Sequence, residues 1–86
     1  MLTNIAHGDL LLCQITSNPY ADPLAVELRT ESFSEGGLER VSYARPGKLF
    51  TASHTIVVRK VGQLETAAHK ELVSKIIALL EVGAAR

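Results

Sequence analysis

The sequence predicts a mostly β domain that ends in a single α-helix, a small twisted, barrel-like sheet with the helix packed on it. Three observations predict this. Short runs rich in apolar and β-branched residues recur between turn signals from Asp9 to Val61. Apolar residues then switch to helical spacing from Ala67 to Val82. Finally, a length of 86 residues suits one domain, spanning 1–86.

The elements follow in order. Asp9-Leu-Leu-Leu-Cys-Gln-Ile-Thr16 is a near-continuous apolar run of strand length, the pattern of a strand buried on both faces. Ser17-Asn18-Pro19 ends it, because the residue before proline is pushed out of helical space. Ala25 to Arg29 alternates, with Val26 and Leu28 on one face and Glu27 and Arg29 on the other, so a half-buried strand is expected. Glu35-Gly36-Gly37 is a turn signal. Arg40 to Ala44 reads as a strand with Val41 and Tyr43 on one side and Arg40 and Ser42 on the other.

Arg45-Pro46-Gly47-Lys48 is expected to break that strand, leaving Leu49-Phe50-Thr51 as a short extended piece. His54 to Val61 is the strongest strand prediction, being rich in β-branched residues, and Gly62 closes it. Ala68, Leu72, Val73, Ile76, Ile77, Leu79 and Leu80 form one wide apolar helical face. Glu65 or Thr66 starts this helix, Gly83 stops it, and Gly83 to Arg86 fray. The strands thus run from about 9 to 61 and the helix from about 66 to 82. Four or five strands and one helix make a thin core, so a dimer or a missing piece is expected.

Composition excludes several classes. With 47% hydrophobic residues the chain is too apolar for intrinsic disorder. No apolar run approaches the roughly 18 residues that cross a bilayer, and Met1 to Asp9 lacks the pattern of a signal peptide. One cysteine forms no intramolecular disulfide, and no Cys/His cluster has zinc spacing. A cytoplasmic location is the default expectation, without metal or cofactor.

Zero net charge conceals a segregation. Six acids stand against Arg29 from Met1 to Glu39, a sum of −5, whereas Arg40, Arg45, Lys48, Arg59 and Lys60 face no acid between Arg40 and Lys60, a sum of +5. Such a block suits a polyanion-binding face. The plainer alternative is that strand alternation scatters these bases or pairs them with acids on neighbouring strands.

No nucleotide loop, metal-ligand spacing or nucleophile elbow is present. Cys13, mid-strand, reads as a buried small hydrophobe. His7, His54 and His69 read as surface residues, with His7 and His54 near strand ends where they reach toward a cleft. Thr16 and Ser17 place two hydroxyls at a strand end, where turn chemistry alone accounts for them. Ser42 to Thr51 is the informative segment: Arg45 and Lys48 supply cations suited to phosphate, and Ser42 and Thr51 supply hydroxyls across a Pro-Gly bend. Tyr43 and Phe50 are of a type that stacks bases, although core packing is the more economical reading for both.

Gly8-Asp9, Ile15-Thr16-Ser17, Gly36-Gly37-Leu38, Ser42-Tyr-Ala-Arg45-Pro-Gly-Lys-Leu49-Phe-Thr51 and Ile56-Val-Val-Arg-Lys-Val-Gly62-Gln-Leu64, with the closing helix, together resemble the PemK/MazF-like toxin family of type II toxin–antitoxin modules. The likeness runs from Asp9 to Leu80. It implies a small SH3-like or CcdB-like β-barrel acting as a homodimer. It further implies metal-free endoribonuclease cleavage of single-stranded RNA, growth inhibition, and neutralisation by a cognate antitoxin peptide.

Residue by residue, the resemblance implies catalytic roles for Thr16, Ser17 and Arg45. The hydroxyls would contact the scissile phosphate and Arg45 would serve as acid or phosphate stabiliser. Ser42 and Thr51 flank that arginine in the family pattern and, with Arg40 and Lys48, are the expected nucleic-acid contacts. In such a mechanism a 2′-hydroxyl attacks the adjacent phosphorus, so DNA is not cut.

The sequence departs from the family in two places. Members typically carry a hairpin and an Arg-Pro before the strand matching Ile-Thr-Ser, and neither has a counterpart here, as in an N-terminally short member. Gly47 also stands where some members have an aspartate, and His7 and His54 are the general-base candidates by chemistry alone. The alternatives are a catalytically inactive relative that binds RNA, operator DNA or an antitoxin, and a protein–protein module unrelated to toxins.

Overall fold

The computed structural model describes residues 2–18 and 20–84. Pro19, Met1, Ala85 and Arg86 lie outside the described residues, and with them parts of the expected Ser-Asn-Pro turn and frayed C-terminus. The chain is mostly β with one C-terminal helix, compatible with a small barrel-like fold. Its strands are β1 (Thr3–Asn4), β2 (Asp9–Thr16), β3 (Val26–Leu28), β4 (Phe33–Gly36), β5 (Ser42–Ser53) and β6 (Gly62–Leu64), followed by α1 (Thr66–Ala84). Four strands form one antiparallel sheet in the order β1-β2-β5-β3, and β4 pairs with β6 in a second.

β1 and β2 make a short hairpin through a 3-10 turn at Ala6–Gly8, so a small hairpin does precede the Ile-Thr-Ser strand. Gly8 is required there, since its φ is +77° and a Cβ would lie 2.7 Å from the His54 ring. His54 Nδ1 donates to the Gly8 carbonyl at 2.8 Å, because a carbonyl oxygen only accepts. This bond ties the hairpin to the far end of β5. It gives His54 a structural role rather than that of a free base.

β5 is one twelve-residue strand, not two pieces with a break. Cys13 pairs with Leu49 and Ile15 with Ala44, so Arg45-Pro46-Gly47-Lys48 all stand opposite the single residue Gln14. The break expected at Arg45–Lys48 is therefore a large bulge inside a continuous strand. Pro46 suits it, having no N–H to leave unpaired, and is fully buried.

The inward face of β5 is the reverse of the sequence expectation: Ser42 and Ala44 are buried, while Val41 is exposed and Tyr43 half-buried. The register explains this. Leu28 pairs with Ser42 and Val26 with Ala44, and paired residues share a face. Small residues on β5 leave room beneath α1 for Val26, Leu28, Leu72 and Ile76, the core cluster. Glu27 and Arg29 face solvent as expected, 2.7 Å apart as an ion pair.

Three further expectations are corrected. β2 is not buried on both faces: Leu10 is buried, Leu11 to Cys13 are half-buried, and Gln14 and Ile15 are exposed. Phe50 is 50% exposed rather than core.

Most consequential, His54–Val61 is not a strand. Beyond Ser53, which pairs with Asp9 at the start of β2, β5 has no neighbour. The Ser53 hydroxyl accepts from the Thr55 N–H, a 3-10 turn covers His54–Ile56, and residues 57–61 run on without a partner strand to β6. Propensity favoured a strand, but a strand needs a neighbour to pair with. The missed element β6 pairs with β4 just after it.

Candidate functional site

Of the residues expected to carry chemistry, Arg45 and Lys48 lie on the β5 bulge, and Thr16 and Ser17 lie at the nearby end of β2. Opposite the bulge, the chain between β2 and β3 is built from short-range turns. Thr16 Oγ1 accepts the Asn18 N–H at 3.1 Å, Asn18 Oδ1 accepts that of Tyr20 at 2.9 Å, and Asp22 Oδ1 accepts that of Leu24 at 2.9 Å. Tyr20 and Ala21 both have φ of +53°, the left-handed region that costs a side chain about 1–2 kcal/mol each. Something must hold this loop.

Arg45 does so. Its Nε donates to Asp22 Oδ2 at 3.1 Å, its Nη1 donates to Gln14 Oε1 at 3.1 Å, and its Cζ sits 5.0 Å from the centre of the Tyr20 ring. The arginine and aspartate side chains are 17% and 13% exposed. The Arg45 carbonyl also accepts the Cys13 thiol at 3.2 Å. Burial pushes that thiol's pKa up, which leaves Cys13 a weak nucleophile. The Asp22 carboxyl is held below its ordinary value, first by the Leu24 N–H and then by the Arg45 guanidinium. The fixed dipoles and cations around it keep it ionised.

Of the other predicted residues, Ser42 is buried and its hydroxyl donates to the Arg40 carbonyl at 3.1 Å, so it holds backbone rather than ligand. Thr16 spends its hydroxyl oxygen on the Asn18 turn, while Ser17 is exposed at the strand end. Thr51 is exposed and pairs with Leu11, on the far side of the bulge from Thr16 and Ser17. Lys48 is exposed on the bulge, close enough for its charge to favour the ionised Asp22.

Arg40 lines a shallow cleft of about 130 Å³ at Leu38–Glu39, and Arg59 and Lys60 line a neighbouring one of about 330 Å³. Neither cleft is lined by Arg45, Thr16 or Ser17. Among the described residues no group of three His, Cys, Asp or Glu could hold a metal ion, and no helix is long and apolar enough to cross a membrane.

No protein-family model matches the chain, and no curated protein matches it significantly. The site must therefore be read from its own geometry. Among the described residues, one of the five bases from Arg40 to Lys60 is ion-paired, namely Arg45. Arg40, Lys48 and the Arg59-Lys60 pair stand on separate features of the surface, as the scatter-or-pair alternative expects. The other four are exposed, and Lys60 Nζ donates to Gln63 Oε1 at 3.3 Å.

Asp22, Tyr20 and Gln14 escaped the sequence reading. Asp22-Pro23 is a visible turn signal, but nothing in one dimension says which cation faces it. That pairing depends on the four-against-one register of the bulge.

Proposed function

We propose that this chain is a PemK/MazF-like domain of SH3-like or CcdB-like type that binds single-stranded RNA without cutting it. The resemblance of the Ser42–Thr51 segment supports the RNA ligand. The observation that carries the reading is Phe50, half exposed two residues from the exposed cation Lys48 on β5. An exposed aromatic ring beside a cation offers one face to a base and one charge to its phosphate.

Arg45 argues for binding rather than cleavage. Its Nε is spent on Asp22 and its Nη1 on Gln14, Tyr20 lies against its Cζ, and the side chain is 17% exposed, so little of it is open to a phosphate. On this reading Arg45 is a loop clamp, and an antitoxin peptide would compete with RNA for the face bearing Lys48 and Phe50.

The test is fluorescence anisotropy with a labelled single-stranded RNA in EDTA, followed by a gel of the same samples. Binding that weakens with salt, with the RNA intact, is the expected result. Lys48→Ala should reduce the salt slope by about 1. Phe50→Ala should weaken binding by about 1–3 kcal/mol, the usual worth of one stacked base. No binding even at low salt overturns the RNA reading. Cleavage that disappears in Arg45→Ala would overturn the non-catalytic assignment and restore an endoribonuclease.

A further inference from the structure

The two faces of the larger sheet carry different side chains. Cys13 and Leu49, paired across β2 and β5, pack against the core cluster under α1. Alternation therefore sets Leu12 and Gln14 on the opposite face, and Phe50 shares that face as the partner of Leu12. Gln14 receives Arg45 Nη1 there at 3.1 Å, and Arg45 Cζ lies 5.0 Å from the centre of the Tyr20 ring. Leu12 and Gln14 are two residues apart, about 7 Å along β2. The outer face of the sheet thus carries Phe50 and, two residues along, the Arg45–Tyr20 stack.

Tyr20 is 59% exposed although one side of its ring is against the guanidinium, so the other side is open to solvent. Its φ of +53°, shared by Ala21, lies in the left-handed region that is costly for any residue with a Cβ. Several bonds hold it there. The Tyr20 N–H donates to Asn18 Oδ1 at 2.9 Å, and the guanidinium against the ring is fixed in turn by Asp22 Oδ2 and Gln14 Oε1. Backbone strain that the surroundings over-determine clusters at ligand sites. Here it yields an exposed ring that is immobilised before any ligand arrives, so little ordering cost remains for binding.

We propose that Tyr20 is a second base-stacking platform, and that Phe50 and Tyr20 receive two neighbouring nucleotides of one RNA strand. The proposal deepens the single-stranded RNA reading above and rests on it. A base on the open side of Tyr20 completes a stack of base, phenol ring and guanidinium, to which Arg45 contributes without touching a phosphate. Arg45 thereby serves the ligand through the ring, while Asp22 and Gln14 occupy its Nε and Nη1. Two separate rings hold their bases apart, whereas a duplex keeps successive bases stacked at about 3.4 Å. Only a strand whose bases are splayed out can use both rings.

Anisotropy with a labelled single-stranded RNA of mixed sequence in EDTA, combined with tyrosine fluorescence, tests this. Tyr20 and Tyr43 are the two tyrosines and there is no tryptophan, so a Tyr43→Phe chain reports on Tyr20 alone. Its fluorescence is expected to fall as RNA saturates the chain, because a stacked base quenches the ring, and this readout needs no change at Tyr20 itself. Tyr20→Gly removes the ring at a backbone geometry that glycine adopts without strain. It should weaken binding at least about fivefold, the lower end of what one stacked base contributes, with an unchanged circular dichroism spectrum. Tyr20→Phe keeps the ring and should bind as the wild type does. RNA binding that leaves Tyr20 fluorescence unchanged, or a Tyr20→Gly chain that binds at wild-type strength, would overturn this proposal and leave the RNA reading standing. A wild-type chain that binds no RNA would overturn both.

Discussion

Arg45 Nε lies 3.1 Å from Asp22 Oδ2, and this contact joins the centre of β5 to the loop between β2 and β3. The pair is nearly enclosed, and each partner has a second anchor. Asp22 caps the Leu24 N–H, while Arg45 reaches Gln14 and the Tyr20 ring. A bulge that pushes four residues out of register would ordinarily weaken a sheet. Here it aims an arginine at a loop that carries two left-handed non-glycine residues, Tyr20 and Ala21.

Acid should loosen this clamp. The Asp22 carboxyl is held below its ordinary value of 3.8, so the unfolded chain takes up the proton before the folded one does. The stability that the carboxylate supplies is complete above about pH 4 and is lost as pH falls through the lower folded value. Asp22→Asn keeps an oxygen for the Leu24 N–H but loses the charge. Thermal melts should show the variant well below wild type at neutral pH, with the gap closing on acidification. A gap that stays constant with pH would exclude an ionised Asp22 as its cause.

The core under α1 is small, so it should be sensitive to a single truncation. Leu28 is 1% exposed, packed with Val26, Ala44, Leu72 and Ile76. Leu28→Ala should cost about 2–5 kcal/mol in urea unfolding, a large share of the stability of a domain this size. Substitution of exposed Glu31 by Ala should stay within about 0.5 kcal/mol. Comparable losses at both positions would mean that Leu28 is not in a packed core.

Gly36 holds the β4–β6 pair together by having no side chain. Its φ is +63°, and a Cβ there would lie 2.2 Å from the Val61 carbonyl oxygen. Gly36→Ala should therefore lose about 1–2 kcal/mol for the left-handed backbone alone, with the steric clash adding to it. Hydrogen exchange should report the damage locally, with Gln63 and Leu64 amides exchanging faster while Leu11 and Leu12 in the larger sheet stay protected. Equal acceleration in both sheets would show that they unfold as one unit.

Cys13 should react slowly. Its thiol is half-buried, its pKa is raised by burial, and it donates to the Arg45 carbonyl. Alkylation at mildly alkaline pH should be slower in the folded chain than in urea. Asp22→Ala, which frees Arg45 and the bulge, should speed it. Reaction at the denatured rate in the folded wild type would place the thiol outside the sheet.

Much of the fold was legible because local pattern decides it. The Asp9–Thr16 run forms a strand with those bounds, Val26 and Leu28 face inward with Glu27 outward, and the helix begins at Thr66, where the 3.6-residue period starts. Each of these follows from the spacing of apolar residues, a property of the sequence by itself. The switch from strands to a helix likewise determined that the chain is mostly β with one C-terminal helix.

What only the tertiary structure decided are the relations between distant segments. The sequence shows that Arg45-Pro46-Gly47-Lys48 interrupts a regular strand, but an interruption can end a strand or bulge it. Gln14 on the neighbouring strand decides for the bulge, and so turns Arg45 toward Asp22. The burial of Ser42 and Ala44 rather than Val41 was settled by the Val26 and Leu28 side chains paired with them. His54 to Val61 has the composition of a strand and no strand beside it, because Asp9 ends the pairing at Ser53. Strand propensity belongs to the residues themselves, whereas pairing depends on a neighbour that only the folded chain can supply.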